Sequence, residues 1–238
     1  PVCLKAYLDE TNDYDILQAP VTDREGHGRS VFERISNAMR WLLQARDERG
    51  LSYIAQGDWC DPMNMVGYKG RGVSGWLSVA TAYALNLWAD ICTEAQASAL
   101  AEEFSAGARA VNQAVNTHLW DGRWFGRGIT DDGAVFGVSQ DKEGRIFLNV
   151  QGWSMLSGAA SESQRKLMIQ AVAEQLETPY GVMTLAPAFT AMRDDIGRVT
   201  QKFPGSAENG SVYNHDAAFY IYSLYAVGER DRAFRLLR

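Results

Sequence analysis

Apolar residues recur every three to four positions along most of the chain, a spacing that predicts a structure built from helices. The clearest segment is 31–49, with Ser30 placed to cap its start and Gly50 directly after its end. A nearly all-apolar segment, 73–91, predicts a helix that is buried on most sides. Further helices are predicted over about 93–119, 148–157, 161–177, 215–227 and 230–237.

Short polar motifs suggest where some of these helices begin. Thr93 to Gln96 and Ser161 to Gln164 fit capping boxes, and Asp121-Gly122 between aromatic pairs predicts a tight turn. Long loops separate the predicted helices, and no β-α-β alternation is present. We therefore predict an all-α toroid of paired helices in which residues 1–238 form a single domain. Seven or eight helices are too few for six pairs, so a partial barrel is expected.

The composition and net charge argue against some classes of binding partner. The formal net charge of −6 argues against nucleic acid or an anionic membrane, because both attract basic surfaces. No apolar run approaches the ~20 residues of a membrane helix, and the first residues do not resemble a signal peptide. The three cysteines are widely spaced, which fits neither a disulfide framework nor a zinc site. We expect a protein of the reducing cytoplasm.

The loop from Gly57 to Gly72 concentrates residues suited to sugar chemistry. Asp58 and Asp61 flank Trp59, whose ring face can stack on the C–H face of a sugar while polar groups bind its hydroxyls. One carboxylate could accept hydrogen bonds and stay ionised while the other, desolvated by apolar neighbours, keeps a proton and acts as a general acid. The alternative is an Asp-rich turn that caps the following helix.

A second polar loop spans residues 193–216. Its three cationic side chains, which include Arg198 and Lys202, lie close to glycines and a proline, and this composition suits an oxyanion such as phosphate or a carboxylate. His215 begins a predicted helix, whose partial positive charge adds to the attraction for an anion. The alternatives are a solvated charged loop and a histidine that only caps or packs.

Two long motifs in these loops resemble those of a known enzyme family. The first is Gly57-Asp58-Trp59-Cys60-Asp61-Pro62-Met63-Asn64 with Gly72-Val73-Ser74-Gly75-Trp76-Leu77 downstream, and the second is Pro204-Gly205, Glu208-Asn209-Gly210 and His215. Both resemble glycoside hydrolase family 94, which contains the cellobiose, chitobiose and related phosphorylases. Three shorter runs also look like this family, namely Trp120 to Trp124, Asp131 to Gly133 and Gln151 to Trp153. Cys60 and Pro62 depart from the family's usual Asn and Gly.

The resemblance implies an (α/α)6 barrel that catalyses phosphate attack on an anomeric carbon with inversion, using no metal and no organic cofactor. It implies that Asp61 is the proton donor to the glycosidic oxygen and that Trp59 and Asp58 line the glucosyl pocket. Glu208 would contact sugar hydroxyls, and His215 would contribute to the phosphate site. Because phosphate is already an anionic nucleophile, one carboxylic acid suffices where an inverting hydrolase needs a second carboxylate to activate water.

Some features of the family are missing. Its donor-site arginine and aspartate and its Thr-Gly phosphate loop have no counterpart in this sequence. We therefore expect the chain to be a piece of a longer polypeptide that needs the remaining parts to bind phosphate well. The expected ligands are a disaccharide and inorganic phosphate, and a homodimer is common among such enzymes.

Arg198 and Lys202 indicate which chemical class of acceptor sugar the site binds. They stand where cellobiose phosphorylases usually have Glu and Tyr, and two cations in a sugar site favour an acceptor that carries a carboxylate. The expected reaction is phosphorolysis of cellobionic acid, 4-O-β-D-glucosyl-D-gluconate, to α-D-glucose 1-phosphate and D-gluconate. The alternatives are that the two cations are surface charges or phosphate ligands.

Three other functions stay open. The chain could belong to a cellobiose phosphorylase, or to an inverting α/α-barrel hydrolase that uses Glu208 as its base. It could also be a non-catalytic sugar-binding toroid, although the presence of Asp61, Glu208 and His215 together favours an enzyme.

Overall fold

The computed structural model describes residues 1–238 and contains eight α-helices. They are α1 (Val2–Thr11), α2 (Val31–Gln44), α3 (Gly75–Glu94), α4 (Ser98–Leu119), α5 (Leu148–Leu156), α6 (Glu162–Gln175), α7 (Asn214–Ala226) and α8 (Arg230–Leu237). Two short 3-10 helices cover Tyr14–Gln18 and Arg198–Gln201. None of the helices is long and apolar enough to cross a bilayer. The helical class predicted from the sequence is confirmed, and the arrangement of these helices in a partial barrel stays a prediction.

Nine short strands lie in the connections between the helices, and the all-α prediction missed them. They are β1 (Pro20–Thr22), β2 (Gly28–Ser30), β3 (Val73–Ser74), β4 (Gly128–Ile129), β5 (Val135–Phe136), β6 (Ile146–Phe147), β7 (Glu177–Thr178), β8 (Gly181–Val182) and β9 (Leu185–Ala186). All pairs are antiparallel: β1–β2, β3–β4–β5, β6–β9 and β7–β8. Strands of two or three residues leave no periodicity that a sequence pattern could reveal.

The helix starts test the capping predictions. Ser30 and Ser161 each accept a hydrogen bond from the backbone N–H three residues on, and both capping boxes are complete. The box predicted at Thr93 is wrong. The Thr93 hydroxyl donates to the carbonyl oxygen of Ala89 inside α3, and Gln96 has a φ of 60° in the turn before α4. The apolar run of α3 continues through Thr93 because its side chain is satisfied within the helix.

The all-apolar helix α3 forms the centre of the fold, as its composition predicted. It packs against α4 and α5, α5 packs against α7, and α7 packs against α8. Trp88 on α3 is fully buried with its indole N–H donating to Ser36 of α2. The two polar loops singled out in the sequence lead directly into α3 and α7, so these helices hold the candidate site.

Candidate active site

The two polar loops lie against each other. The backbone N–H of Val199 donates to the carbonyl oxygen of Pro62 over 3.0 Å, and that of Arg198 donates to Oδ1 of Asn64 over 3.2 Å. Gly197 makes this approach possible, because its φ is 112° and a Cβ there would lie 2.6 Å from Asn64 Oδ1. Residues separated by more than 130 positions along the chain thus form one surface.

Asp58 forms a fully buried ion pair with Arg127. The guanidinium Nη2 donates to Asp58 Oδ1 over 2.7 Å, and both side chains are completely buried. Oδ1 also accepts from the backbone N–H of Cys60, and Oδ2 accepts from the hydroxyl of Ser74 over 2.5 Å. Asp58 is therefore the ion-paired, hydrogen-bonded carboxylate of the two, and within this chain its oxygens position the loop rather than face solvent.

Asp61 occupies the opposite environment. Its residue is exposed and its carboxylate makes no hydrogen bond or ion pair with the rest of the chain. The expectation that apolar neighbours desolvate this carboxyl is wrong for the chain by itself, because Met63 is buried beneath the loop while Asp61 lies on its outer side. Asp61 nevertheless directly precedes Pro62, whose carbonyl oxygen accepts from Val199 in the second polar loop.

Trp59 connects the first loop to the start of α7. Its indole N–H donates to Nδ1 of His215 over 3.1 Å, and its ring meets Tyr213 edge-on at 5.7 Å. The imidazole of His215 also contacts the ring of Phe219, with 5.0 Å between ring centroids. Since an indole N–H can only donate, Nδ1 of His215 must be the acceptor and the neutral ring carries its proton on Nε2.

Arg198 and Lys202, the two cations predicted to bind the acceptor sugar, differ in exposure and in pairing. Lys202 donates to the carboxylate of Glu208, and both side chains are mostly buried. Arg198 is exposed, and its guanidinium makes no hydrogen bond or ion pair within the chain. The two cations therefore do not form a preformed pair: one is neutralised by Glu208 and the other is free to meet an anion.

A narrow cavity lies beneath these loops and contains a group that the sequence analysis missed. It is lined by Trp59, Cys60, Met63, Arg127, Phe147, Asn149, Thr184, Glu208 and Asp216. Asp216 is 1% exposed, and neither carboxyl oxygen has a hydrogen-bond partner. Burial raises the pKa of Asp216 to about 8, although nearby Arg127 acts in the opposite direction. The sequence held one signal for this group, because Asp216 is an acidic residue on the apolar face of the helix predicted over 215–227.

The same loops are held in place by two further side chains from the motifs. Asp131 accepts from the backbone N–H groups of Lys69, Arg71 and Gly72, and these bonds outweigh its burial and lower the pKa of the carboxyl. Asn209 is fully buried. Its Oδ1 accepts from the backbone N–H of Phe189, and its side-chain NH2 donates to the carbonyl oxygen of Phe189. These residues support the site without reaching it.

Comparison with known proteins identifies the family. The model of the glycosyl hydrolase 94 superfamily catalytic domain matches residues 2–238. The chain belongs to this family. The two motifs that suggested it in the sequence are the two loops that meet around Trp59 and His215.

The family 94 chain has relatives of known activity. It is 59% identical over 239 residues to the cellobionic acid phosphorylase of Neurospora crassa, covering 100% of this chain and 30% of that protein. It is 33% identical to a 3-O-beta-D-glucopyranosyl-beta-D-glucuronide phosphorylase of Paenibacillus borealis, covering 99% of the chain and 31% of the relative. The chain thus spans about 30% of the length of these two relatives.

Solved structures show the same helical fold outside the family. A GH78 family rhamnosidase from a Bacillus species matches with a TM-score of 0.64 at 15% identity, over 96% of this chain and 19% of that one. A rhamnosidase from Klebsiella oxytoca matches with a TM-score of 0.60 over 98% of this chain and 34% of its own. At such low identity the likeness concerns the fold only.

Proposed function

We propose that the polypeptide containing this chain is an inverting phosphorylase of cellobionic acid. The reaction is 4-O-β-D-glucosyl-D-gluconate plus phosphate giving α-D-glucose 1-phosphate plus D-gluconate. The observation that carries the proposal is the 59% identity to the Neurospora crassa enzyme along the whole chain. Because the chain spans about 30% of that relative, the activity is proposed for the complete protein.

In this proposal Asp61 is the general acid. A phosphate oxygen forms a bond to the anomeric carbon of glucose while the bond from that carbon to O4 of gluconate breaks, and the Asp61 proton moves to O4. Phosphate supplies the nucleophile, so no second carboxylate is required to activate water. The exposed carboxyl of Asp61 needs a substrate lying over it, because proton donation is most effective where water is excluded.

Neighbouring residues position the reactants. The buried Asp58–Arg127 pair holds the loop that carries Asp61, which supports a positioning role for Asp58 within the glucosyl pocket. His215 would donate from Nε2 to a phosphate oxygen, because Trp59 occupies Nδ1. Glu208 would accept from sugar hydroxyls while it is paired with Lys202.

Arg198 is the group that we assign to the acceptor carboxylate. Its guanidinium has no partner within the chain and the residue is exposed, whereas Lys202 is partly neutralised by Glu208. An arginine fork matches a carboxylate with two parallel hydrogen bonds. The glucuronide named in the Paenibacillus borealis relative is also a sugar acid. The proposal includes completion of an (α/α)6 barrel by the remaining polypeptide, no cofactor, a cytoplasmic setting and a homodimer.

The experiment uses the full-length protein with cellobionate or cellobiose, with and without phosphate, and measures glucose 1-phosphate. We expect phosphate-dependent glucose 1-phosphate from cellobionate, and a fall of about 10²- to 10⁴-fold in kcat for Asp61→Asn. Asp90→Asn, at an exposed position near the end of α3, is the matched control and should not change the rate.

Other outcomes point to the alternatives. Free glucose formed without phosphate would indicate a hydrolase, and equal or better turnover of cellobiose would indicate a cellobiose phosphorylase. Sugar binding without turnover, unchanged by Asp61→Asn, would indicate a binding protein.

A further inference from the structure

A buried carboxyl directly follows the predicted phosphate-binding histidine. Asp216 is the third residue of α7, and its side chain is turned into the protein while His215 is exposed. Because burial raises its pKa to about 8, the carboxyl carries a proton at neutral pH. It then offers one O–H donor and one carbonyl acceptor, and both are without a partner inside the chain.

Arg127 contributes a second unsatisfied group to the same cavity. Its Nη1 donates to Ser74 and its Nη2 to Asp58, but its Nε–H has no hydrogen-bond partner although the residue is fully buried. Buried polar groups in folded proteins are nearly always paired. Three unpaired atoms on two residues that line one cavity therefore indicate a ligand atom that binds between them.

The cavity restricts what that ligand atom can be. Its free space is on the scale of a single water molecule, and it is closed on its apolar sides by Met63 and Phe147. A phosphate group is too large for it. A hydroxyl oxygen fits, because it can both accept from Arg127 and exchange hydrogen bonds with Asp216.

We propose that this cavity binds one hydroxyl group of the glucosyl unit, with Asp216 and the Nε–H of Arg127 as its partners. The inference rests on the proposed function, since Trp59 and Glu208, which line the same cavity, are the residues expected to hold the sugar. Asp216 is then a substrate-binding residue that couples the position of the glucosyl ring to the adjacent His215. A bound water could fill the same space, so the experiment must separate the two.

The test combines mutations of Asp216 with sugars that lack one hydroxyl. The full-length protein is assayed in the synthetic direction, with gluconate as acceptor and glucose 1-phosphate or its 2-, 3-, 4- or 6-deoxy analogue as donor. We expect Asp216→Ala to lower kcat/KM for glucose 1-phosphate about 10- to 100-fold, because it leaves a hydrogen-bonding hydroxyl unpaired. One of the deoxy analogues lacks the hydroxyl that Asp216 is proposed to bind. For that analogue Asp216→Ala should change kcat/KM by less than about 3-fold, because the mutation and the missing hydroxyl remove the same interaction.

Control variants separate binding from folding. Asp216→Asn keeps the shape of the neutral carboxyl and should retain part of the activity and the full melting temperature, whereas Asp231→Ala, an exposed residue on α8, should behave as wild type. A loss that is equal for all analogues would show that the cavity holds only water and would overturn the inference. A wild-type protein that makes no disaccharide from glucose 1-phosphate would instead contradict the proposed function.

Discussion

The indole N–H of Trp59 donates to Nδ1 of His215 over 3.1 Å, across 156 positions of sequence. This bond joins the loop that carries Asp61 to the first turn of α7, and it leaves Nε2 as the donor atom of the imidazole. The contacts of His215 with Phe219 and of Trp59 with Tyr213 restrict the rotation of both rings. The orientation of the histidine therefore depends on a residue expected to contact the sugar.

Trp59→Phe tests this dependence. The variant keeps an aromatic face for the sugar but loses the N–H, so the imidazole is no longer held in one tautomer. We expect the KM for phosphate to rise about 3- to 10-fold, the usual size of one lost hydrogen bond, with a smaller change in the KM for cellobionate. Trp41→Phe, at a residue that is 64% exposed, is the control. A rise confined to the KM for cellobionate would mean that the N–H serves the sugar.

Arg198 and Lys202 should give different results when they are removed. Arg198→Ala takes away a free cation, and we expect kcat/KM for cellobionate to fall about 10- to 100-fold while that for cellobiose is nearly unchanged. Lys202→Tyr also leaves the Glu208 carboxylate without its partner, so both substrates should lose activity. The measurement is kcat/KM for each substrate with each variant. Equal losses for both substrates with Arg198→Ala would contradict an acceptor role for this residue.

Removing one partner of the buried Asp58–Arg127 pair should destabilise the protein. Arg127→Met leaves an uncompensated buried carboxylate, and we expect the free energy of unfolding to fall by about 3–5 kcal/mol. Adding Asp58→Leu should recover part of the loss, because both charges are then gone. Arg123→Met breaks an exposed pair with Glu174 and a cation–π contact with the Trp124 ring, and should cost about 0.5–2 kcal/mol. Urea titrations of the variants would show the difference, and a double variant worse than Arg127→Met would contradict it.

Gly197 should be intolerant of a side chain. Its φ of 112° and the 2.6 Å approach to Asn64 Oδ1 mean that Gly197→Ala separates the two loops. Gly205→Ala is a matched control, with a φ of 80° but open space around its Cβ, so it reports the backbone strain alone, about 1–2 kcal/mol. We expect kcat/KM to fall for Gly197→Ala and to stay close to wild type for Gly205→Ala. Similar activities in the two variants would show that loop contact is not required.

Asp216 makes the stability of the protein depend on pH. Its pKa is about 8 in the folded chain and 3.8 as the ordinary value, so the folded state holds a proton that the unfolded state releases. Its contribution is fully present below pH 4 and is lost as the pH rises through about 8. We expect the unliganded wild type to lose stability from pH 5 to pH 8 relative to Asp216→Asn. If the free energy of unfolding of wild type and Asp216→Asn changed in parallel with pH, this would contradict a buried Asp216 carboxyl that holds its proton.

Much of the helical framework was predictable because it depends on local pattern. The apolar run of 73–91, the cap at Ser30 and the capping box at Ser161 fall where the structure has α3, α2 and α6. The start of α4 was not predictable in this way. Thr93 has the composition of a cap, but its hydroxyl is satisfied within α3 and the turn forms three residues later.

The sequence by itself determined the family, the helices and the two loops that carry polar residues, because these depend on residue order and spacing. Only the tertiary structure decided what each side chain contacts. It buried Asp58 against Arg127, left Asp61 and Arg198 exposed, and paired Lys202 with Glu208. The physical reason is that burial and pairing depend on residues far apart in the chain, and these contacts decide which charges are neutralised and which can meet a ligand.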